Sequence, residues 1–142
     1  MNTIKMAIVG AGIWGANHAR IYKAHPFADA VAICDMDREK AERVAREERI
    51  PAVYDDYERM FREVDCDAVA IVTPDFAHAD IAVAAAEAGK HILIEKPLAT
   101  TREDAFRILE AVEKNGVRGM VDLHNRWNPP FNAAYQAVKN GE

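Results

Sequence analysis

The feature that most limits what this chain can become is the run Gly10-Ala11-Gly12-Ile13-Trp14-Gly15. It follows the apolar stretch Ile4 to Val9 directly and opens a segment of helical spacing, Gly12 to His25, which Pro26 stops. A G-x-G-x-x-G string alone says little, because glycines are common. Between a strand and a helix, however, each glycine has its own task. Gly10 permits the tight turn, Gly12 leaves no side chain between the backbone and an approaching group, and Gly15 lets the helix lie close on the strand. The bared N–H groups and the positive end of the helix dipole then face outward, a setting suited to a pyrophosphate. A glycine-rich turn without a ligand is the plainer alternative.

The same alternation runs on to the end of the chain. Apolar runs at Ala30 to Cys34, Ala52 to Tyr54, Ala68 to Val72, His91 to Ile94 and Val117 to Leu123 read as further strands, and their unbroken apolar character suits a sheet covered on both faces. Helical segments are expected at Asp35 to Glu48, Asp56 to Val64 and Phe76 to Ala88, the last with Gly89 where a C-cap glycine belongs. Another follows from Thr101, which forms an S/T-x-x-D/E capping pattern with Asp104, through Lys114, with Asn115-Gly116 closing it. Pro129-Pro130 opens the final one, Phe131 to Lys139. Six strands alternating with helices require right-handed crossovers and predict a doubly wound parallel α/β sheet of the Rossmann type. Ligands of such sheets sit beyond the carboxyl ends of the strands, where strand order reverses.

Composition narrows the partners. The 142 residues, half of them hydrophobic, suffice for one core. Eighteen Lys and Arg against 23 Asp and Glu leave a formal charge of −5 without long runs of either sign, which argues against nucleic acid. No apolar stretch approaches the roughly 20 residues that cross a bilayer, so no membrane partner is expected. The amino-terminal residues lack the features of an export signal, and Cys34 and Cys66 form neither a C-x-x-C pair nor a disulfide framework. A reduced, cytoplasmic setting is expected, with Cys34 a small buried hydrophobe.

Asp35 ends the second strand about 20 residues beyond Gly15, where a carboxylate can accept hydrogen bonds from the hydroxyls of an adenosine ribose and would repel a 2′-phosphate. NAD is therefore favoured over NADP. Arg38 is near enough in sequence to cover a phosphate if Asp35 turned aside, and Asp35 is also a candidate N-cap for the following helix. Trp14 either lies over the phosphates or packs against a neighbouring domain. With Ile13 it completes the turn.

These features, together with Thr73-Pro74 and His78 after the fourth strand and Glu95-Lys96-Pro97 after the fifth, resemble the Gfo/Idh/MocA family of sugar and polyol oxidoreductases over nearly the whole chain. The resemblance implies a dehydrogenase acting on a secondary alcohol of a sugar, inositol or related polyol. It implies that Lys96 reaches the nicotinamide and the substrate hydroxyl, where an ammonium can donate a hydrogen bond and relay a proton. Pro97 restricts the Lys96 backbone. Glu95 is expected either to orient Lys96 or to contact the nicotinamide ribose. Thr73, Pro74 and His78 are expected to line the cofactor cleft, although His78 in a first helical turn equally suits capping or packing. Arg126, in the stretch His124 to Pro129, either approaches the substrate or nicotinamide or forms an interdomain salt bridge.

Family members continue into a second α/β domain that supplies an aspartate, a histidine and most substrate contacts. Residues 1–123 are accordingly expected to be the dinucleotide-binding domain and 124–142 a connecting segment and helix. The chain is expected to be part of a longer, homo-oligomeric enzyme, with a naturally short binder, sensor or partner subunit as the alternative.

Overall fold

A computed structural model describes residues 3–141. Six strands, β1 (Ile4–Val9), β2 (Ala28–Cys34), β3 (Ala52–Tyr54), β4 (Ala68–Ile71), β5 (His91–Glu95) and β6 (Gly119–Asp122), form one sheet in the order β3-β2-β1-β4-β5-β6. All five pairings are parallel. The chain leaves β1 toward β2 and β3 on one side and returns to β4 on the other, so strand order reverses between β1 and β4.

Alternation along β1 divides the core. Met6 and Ile8 face α1 (Ile13–Ala24) and α2 (Arg38–Glu48), packing with Ala19, Val44 and Ala45. Ala7 and Val9 face the opposite layer of α3 (Tyr57–Glu63), α4 (His78–Glu87) and α5 (Arg102–Asn115), and pack with Met60, Ala82 and Ile108. Both faces of the central strands are thus out of water, the condition under which strands read as continuous apolar runs. A sixth helix, α6 (Pro129–Asn140), packs mainly on the short 3-10 turn His124–Arg126 and leaves Phe131, Tyr135 and Val138 exposed. No helix among the described residues is long and apolar enough to cross a membrane.

Local hydrogen bonds set where the helices begin. Asp37, Asp56 and Thr101 accept from Lys40 N, Arg59 N and Asp104 N and cap α2, α3 and α5. Thr101 Oγ1 also donates to the Asp104 carboxylate, a side-chain bond that holds the cap in place. The helix expected from Asp35 therefore starts at Arg38, and Asp37 rather than Asp35 is its cap. The segment expected from Phe76 opens as a 3-10 turn, Asp75–Ala77, and becomes α-helical only at His78. β6 is shorter than the apolar run Val117 to Leu123 because Val117 N still bonds Val112 O as α5 ends.

At the first turn Gly10 has φ +108°, and a Cβ there would come within 2.6 Å of Val72 O. A Cβ on Gly15 would overlap the Gly10 carbonyl oxygen, whereas one on Gly12 would meet nothing within 4 Å. Gly15→Ala is therefore expected to destabilise the fold by at least ~2 kcal/mol, since the obstacle is backbone. Gly12→Ala should stay within ~1 kcal/mol of wild type, the scale of an N-cap change. Equal urea midpoints for wild type and Gly15→Ala would refute the close contact between α1 and β1.

Candidate functional site

At the reversal point the carboxyl ends of β1, β2 and β4 bound a cleft of about 500 Å³, mostly apolar, lined by Gly10, Gly12, Asp35, Tyr57, Thr73 and Pro74 among others. Gly12 is the N-cap of α1 and has no side-chain cap, so the N–H groups of the first turn are left for other acceptors. The open space beside Gly12 is the room a diphosphate needs, and the helix dipole favours negative charge there.

Asp35 is tied into this turn. Its Oδ2 accepts from Ala11 N at 2.7 Å and its Oδ1 from Asp37 N at 2.9 Å, which fixes the carboxylate against the glycine loop. An ionised carboxylate is acceptor-only with about four lone-pair sites, so two remain for hydroxyl donors from the cleft. Arg38 does not join it. Its guanidinium bonds Glu42 Oε1 at 3.0 Å and lies 3.6 Å from Asp55 Oδ2; the bond to Glu42 and the charge of Asp55 push it above its usual range. Asp35 has not turned aside, and Arg38, the expected cover for a phosphate in that case, pairs with two carboxylates and does not line the cleft. Lys40 lines the cleft instead, paired with Asp37 at 3.1 Å. Neither Lys40 nor the mouth residues Met36 and Phe76 stood out in the sequence, since surface charges and apolar side chains carry no spacing signal.

Trp14 stacks on His124, with ring centroids 5.5 Å apart and planes at 28°, so it leans toward the segment after β6 rather than over the glycine turn. Ile13 is exposed beside it. Thr73 and Pro74 lie on the β4 side of the cleft, and Thr73 Oγ1 is buried without a partner, an orphaned hydroxyl that a ligand could satisfy.

His78 does not face the cleft. It is 1% exposed, with Nδ1 at 2.9 Å from Pro97 O and Nε2 at 3.0 Å from Thr73 O. The cofactor-lining expectation is corrected to a packing role, in which the ring spans the loops that follow β4 and β5. Cys34 is buried, and burial first, then Asp35 and its acidic neighbours, push its thiol up to about 12, so no reactive thiolate stands at the cleft.

Lys96 follows β5 directly and is exposed, and its peptide to Pro97 is cis. Glu95 is 7% exposed. Its Oε2 accepts from Lys96 N at 3.1 Å, while Oε1 turns inward to His18 Nε2 at 3.2 Å. The suggested contact of Glu95 with a ribose is corrected on this ground, since the residue is almost wholly buried and its Oε1 turns inward to His18 rather than to the cleft. His18, Glu95 and Asp122 are the one group of potential metal ligands among the described residues, with donor atoms within 4.8 Å of one another. Sequence reasoning missed His18 and Asp122 because their partners are remote in the chain. Arg126 is exposed in the turn after β6 and borders a separate groove with Trp127, Phe131 and Tyr135, so it is not brought to the cleft at Gly12 and Asp35.

Known proteins resemble this chain in sequence and fold. The family model described as "Oxidoreductase family, NAD-binding Rossmann fold" matches residues 4–123. Inositol 2-dehydrogenase of Salmonella typhimurium is 39% identical over 99% of this chain and 43% of its own length. A scyllo-inositol 2-dehydrogenase (NAD(+)) of Bacillus subtilis is 34% identical over 98% of this chain and 41% of its own. The crystal structure of scyllo-inositol dehydrogenase from Lactobacillus casei with bound NAD(H) and scyllo-inositol superposes with a TM-score of 0.90 at 27% identity, covering 99% of this chain and 42% of that one. The chain therefore spans about two fifths of the length of the curated relatives it matches. With its glycine turn, strand order and matched span in agreement, the chain belongs to the Gfo/Idh/MocA oxidoreductase family and forms that family's NAD-binding Rossmann fold.

Proposed function

We propose that this chain is the cofactor-binding half of an NAD-dependent oxidoreductase that moves a hydride between nicotinamide and a secondary alcohol of a sugar, inositol or related polyol. The observation that carries this reading is a single edge of the sheet. It holds an open helix terminus at Gly12, a fixed acceptor at Asp35 and, at the end of β5 two strands from β1, the exposed Lys96. The dehydrogenase names of the relatives support it.

NAD, when bound, supplies the carbon that accepts the hydride. The first turn of α1 would hold its diphosphate. Asp35 would take the adenosine ribose hydroxyls, and its charge would disfavour a 2′-phosphate, the more so because the nearby cations Arg38 and Lys40 already face carboxylates. Met36 and Phe76 offer apolar surface at the mouth for a flat base. Lys96 would donate a hydrogen bond from its ammonium to the substrate oxygen as the alcohol is oxidised, the hydroxyl proton passing to the aspartate and histidine that a second domain would supply. In the complete protein a second domain would supply the remaining substrate contacts and a homo-oligomeric assembly, in a cytoplasmic setting.

Three outcomes are expected. In titrations of this chain NAD should bind at least about tenfold, or ~1.4 kcal/mol, tighter than NADP. Equal affinities would remove Asp35 from cofactor choice. Gly12→Val should abolish NAD binding while thermal stability changes little, separating the cradle from the fold. In the complete protein Lys96→Ala should eliminate polyol-dependent reduction of NAD with NAD affinity within about twofold of wild type. Undiminished turnover in that variant would exclude Lys96 from the reaction.

A further inference from the structure

Beneath Lys96 lies a buried polar cluster that the proposed reaction does not use. Glu95 on β5 and Asp122 on β6 are register partners in the parallel sheet, so two carboxylates come together at the ends of neighbouring strands. His18 of α1 enters between them. Its Nε2 lies 3.2 Å from Glu95 Oε1 and 3.8 Å from Asp122 Oδ2, and its Nδ1 lies 2.9 Å from the Tyr22 hydroxyl. His18 is 8% exposed, so water does little to mediate these contacts.

The partners settle the direction of each hydrogen bond. Carboxylates only accept, so Nε2 carries the proton that points at Glu95; in the neutral ring with that tautomer, Nδ1 accepts from Tyr22 O–H. Burial, then the charges of Asp122 and Glu95, raise the Tyr22 phenol far above its ordinary range, which keeps it a donor. Glu95 Oε2, the oxygen not used by His18, accepts the Lys96 N–H. A continuous chain thus runs from Tyr22 through His18 and Glu95 to the backbone of Lys96. His18 lies one turn beyond the glycine loop on the same helix, so a rigid element joins the two places.

We propose that His18 is a positioning residue: by clamping the Glu95 carboxylate between α1 and β5 it fixes the backbone from which Lys96 projects, and so sets the lysine relative to a cofactor held at the start of α1. An apolar residue at position 18 would leave Glu95 beside Asp122 with no donor between them, so its carboxylate would swing away toward solvent and the Lys96 amide would lose a fixed acceptor. This inference rests on the role assigned to Lys96 above, and its test includes a measurement that needs no turnover.

In the complete protein His18→Ala should lower kcat by at least about tenfold while the NAD dissociation constant stays within about twofold. His18→Gln, whose side-chain amide nitrogen can replace Nε2 as donor to Glu95, should recover most of that loss. In this chain, amide hydrogen exchange read by NMR should be at least about tenfold faster at Lys96 in His18→Ala, and near wild type in His18→Gln. Should the alanine variant fail to fold, His18→Leu, closer in volume, carries the same two readouts. A folded variant whose Lys96 amide stays as protected as in wild type overturns the proposal. So does a kcat that is unchanged, or a loss confined to NAD affinity. If wild type itself turns over no polyol, the reading of the reaction fails, and the Lys96 amide still decides whether His18 positions that backbone.

Discussion

The approach of α1 onto the end of β1 sets the position of everything else at this edge of the sheet. Gly15 lies so near the Gly10 carbonyl that a side chain has no room, and this brings the helix axis down onto the strand. The amino terminus of α1 then stands directly above the end of β1, with its unsatisfied N–H groups facing the cleft. The bond from Ala11 N to Asp35 ties the end of β2 to the same turn. One further turn along the same helix, His18 reaches the ends of β5 and β6, backed by Tyr22. A single close contact thus places features on both sides of the point where strand order reverses.

The two sides differ in how they treat polar groups. Around the cleft at the ends of β2, β1 and β4 the groups are left partly unsatisfied: helix N–H groups, the spare lone pairs of Asp35 and the hydroxyl of Thr73 all await a partner. On the β5 and β6 side the polar groups are mostly buried and satisfy one another, as His18, Tyr22, Glu95 and the Lys96 amide do. A satisfied buried network is rigid, and an unsatisfied rim binds. Lys96 stands where the rigid part meets solvent, and His78 braces the same loop from the other layer by bridging Thr73 O and Pro97 O.

Much of this fold is readable along the chain. Strand positions, the three glycine tasks, the capping of α5 by Thr101 and the C-terminal glycine at position 116 all depend on bonds spanning a few residues. The misreadings are also local in origin. Asp35 and Asp37 are equivalent as caps by spacing alone, and only the nearby Ala11 N–H, supplied by β1's turn, draws Asp35 away. Arg38 looks available to a phosphate until Asp55, at the end of a neighbouring strand, is seen to share it with Glu42. His78 sits in a helix's first turn, yet the carbonyl of Pro97, nineteen residues on, turns it inward.

By itself the sequence determined which residues stand at the carboxyl ends of the strands, because apolar periodicity and glycine chemistry act over short distances. Only the tertiary structure decided where their side chains point. His18 and Glu95 are 77 residues apart and meet because the crossovers bring the ends of β5 and β6 within reach of a side chain on α1. A carboxylate's direction depends on the donors that surround it, and a folded sheet gathers those donors from strands whose neighbours cannot be read along the chain.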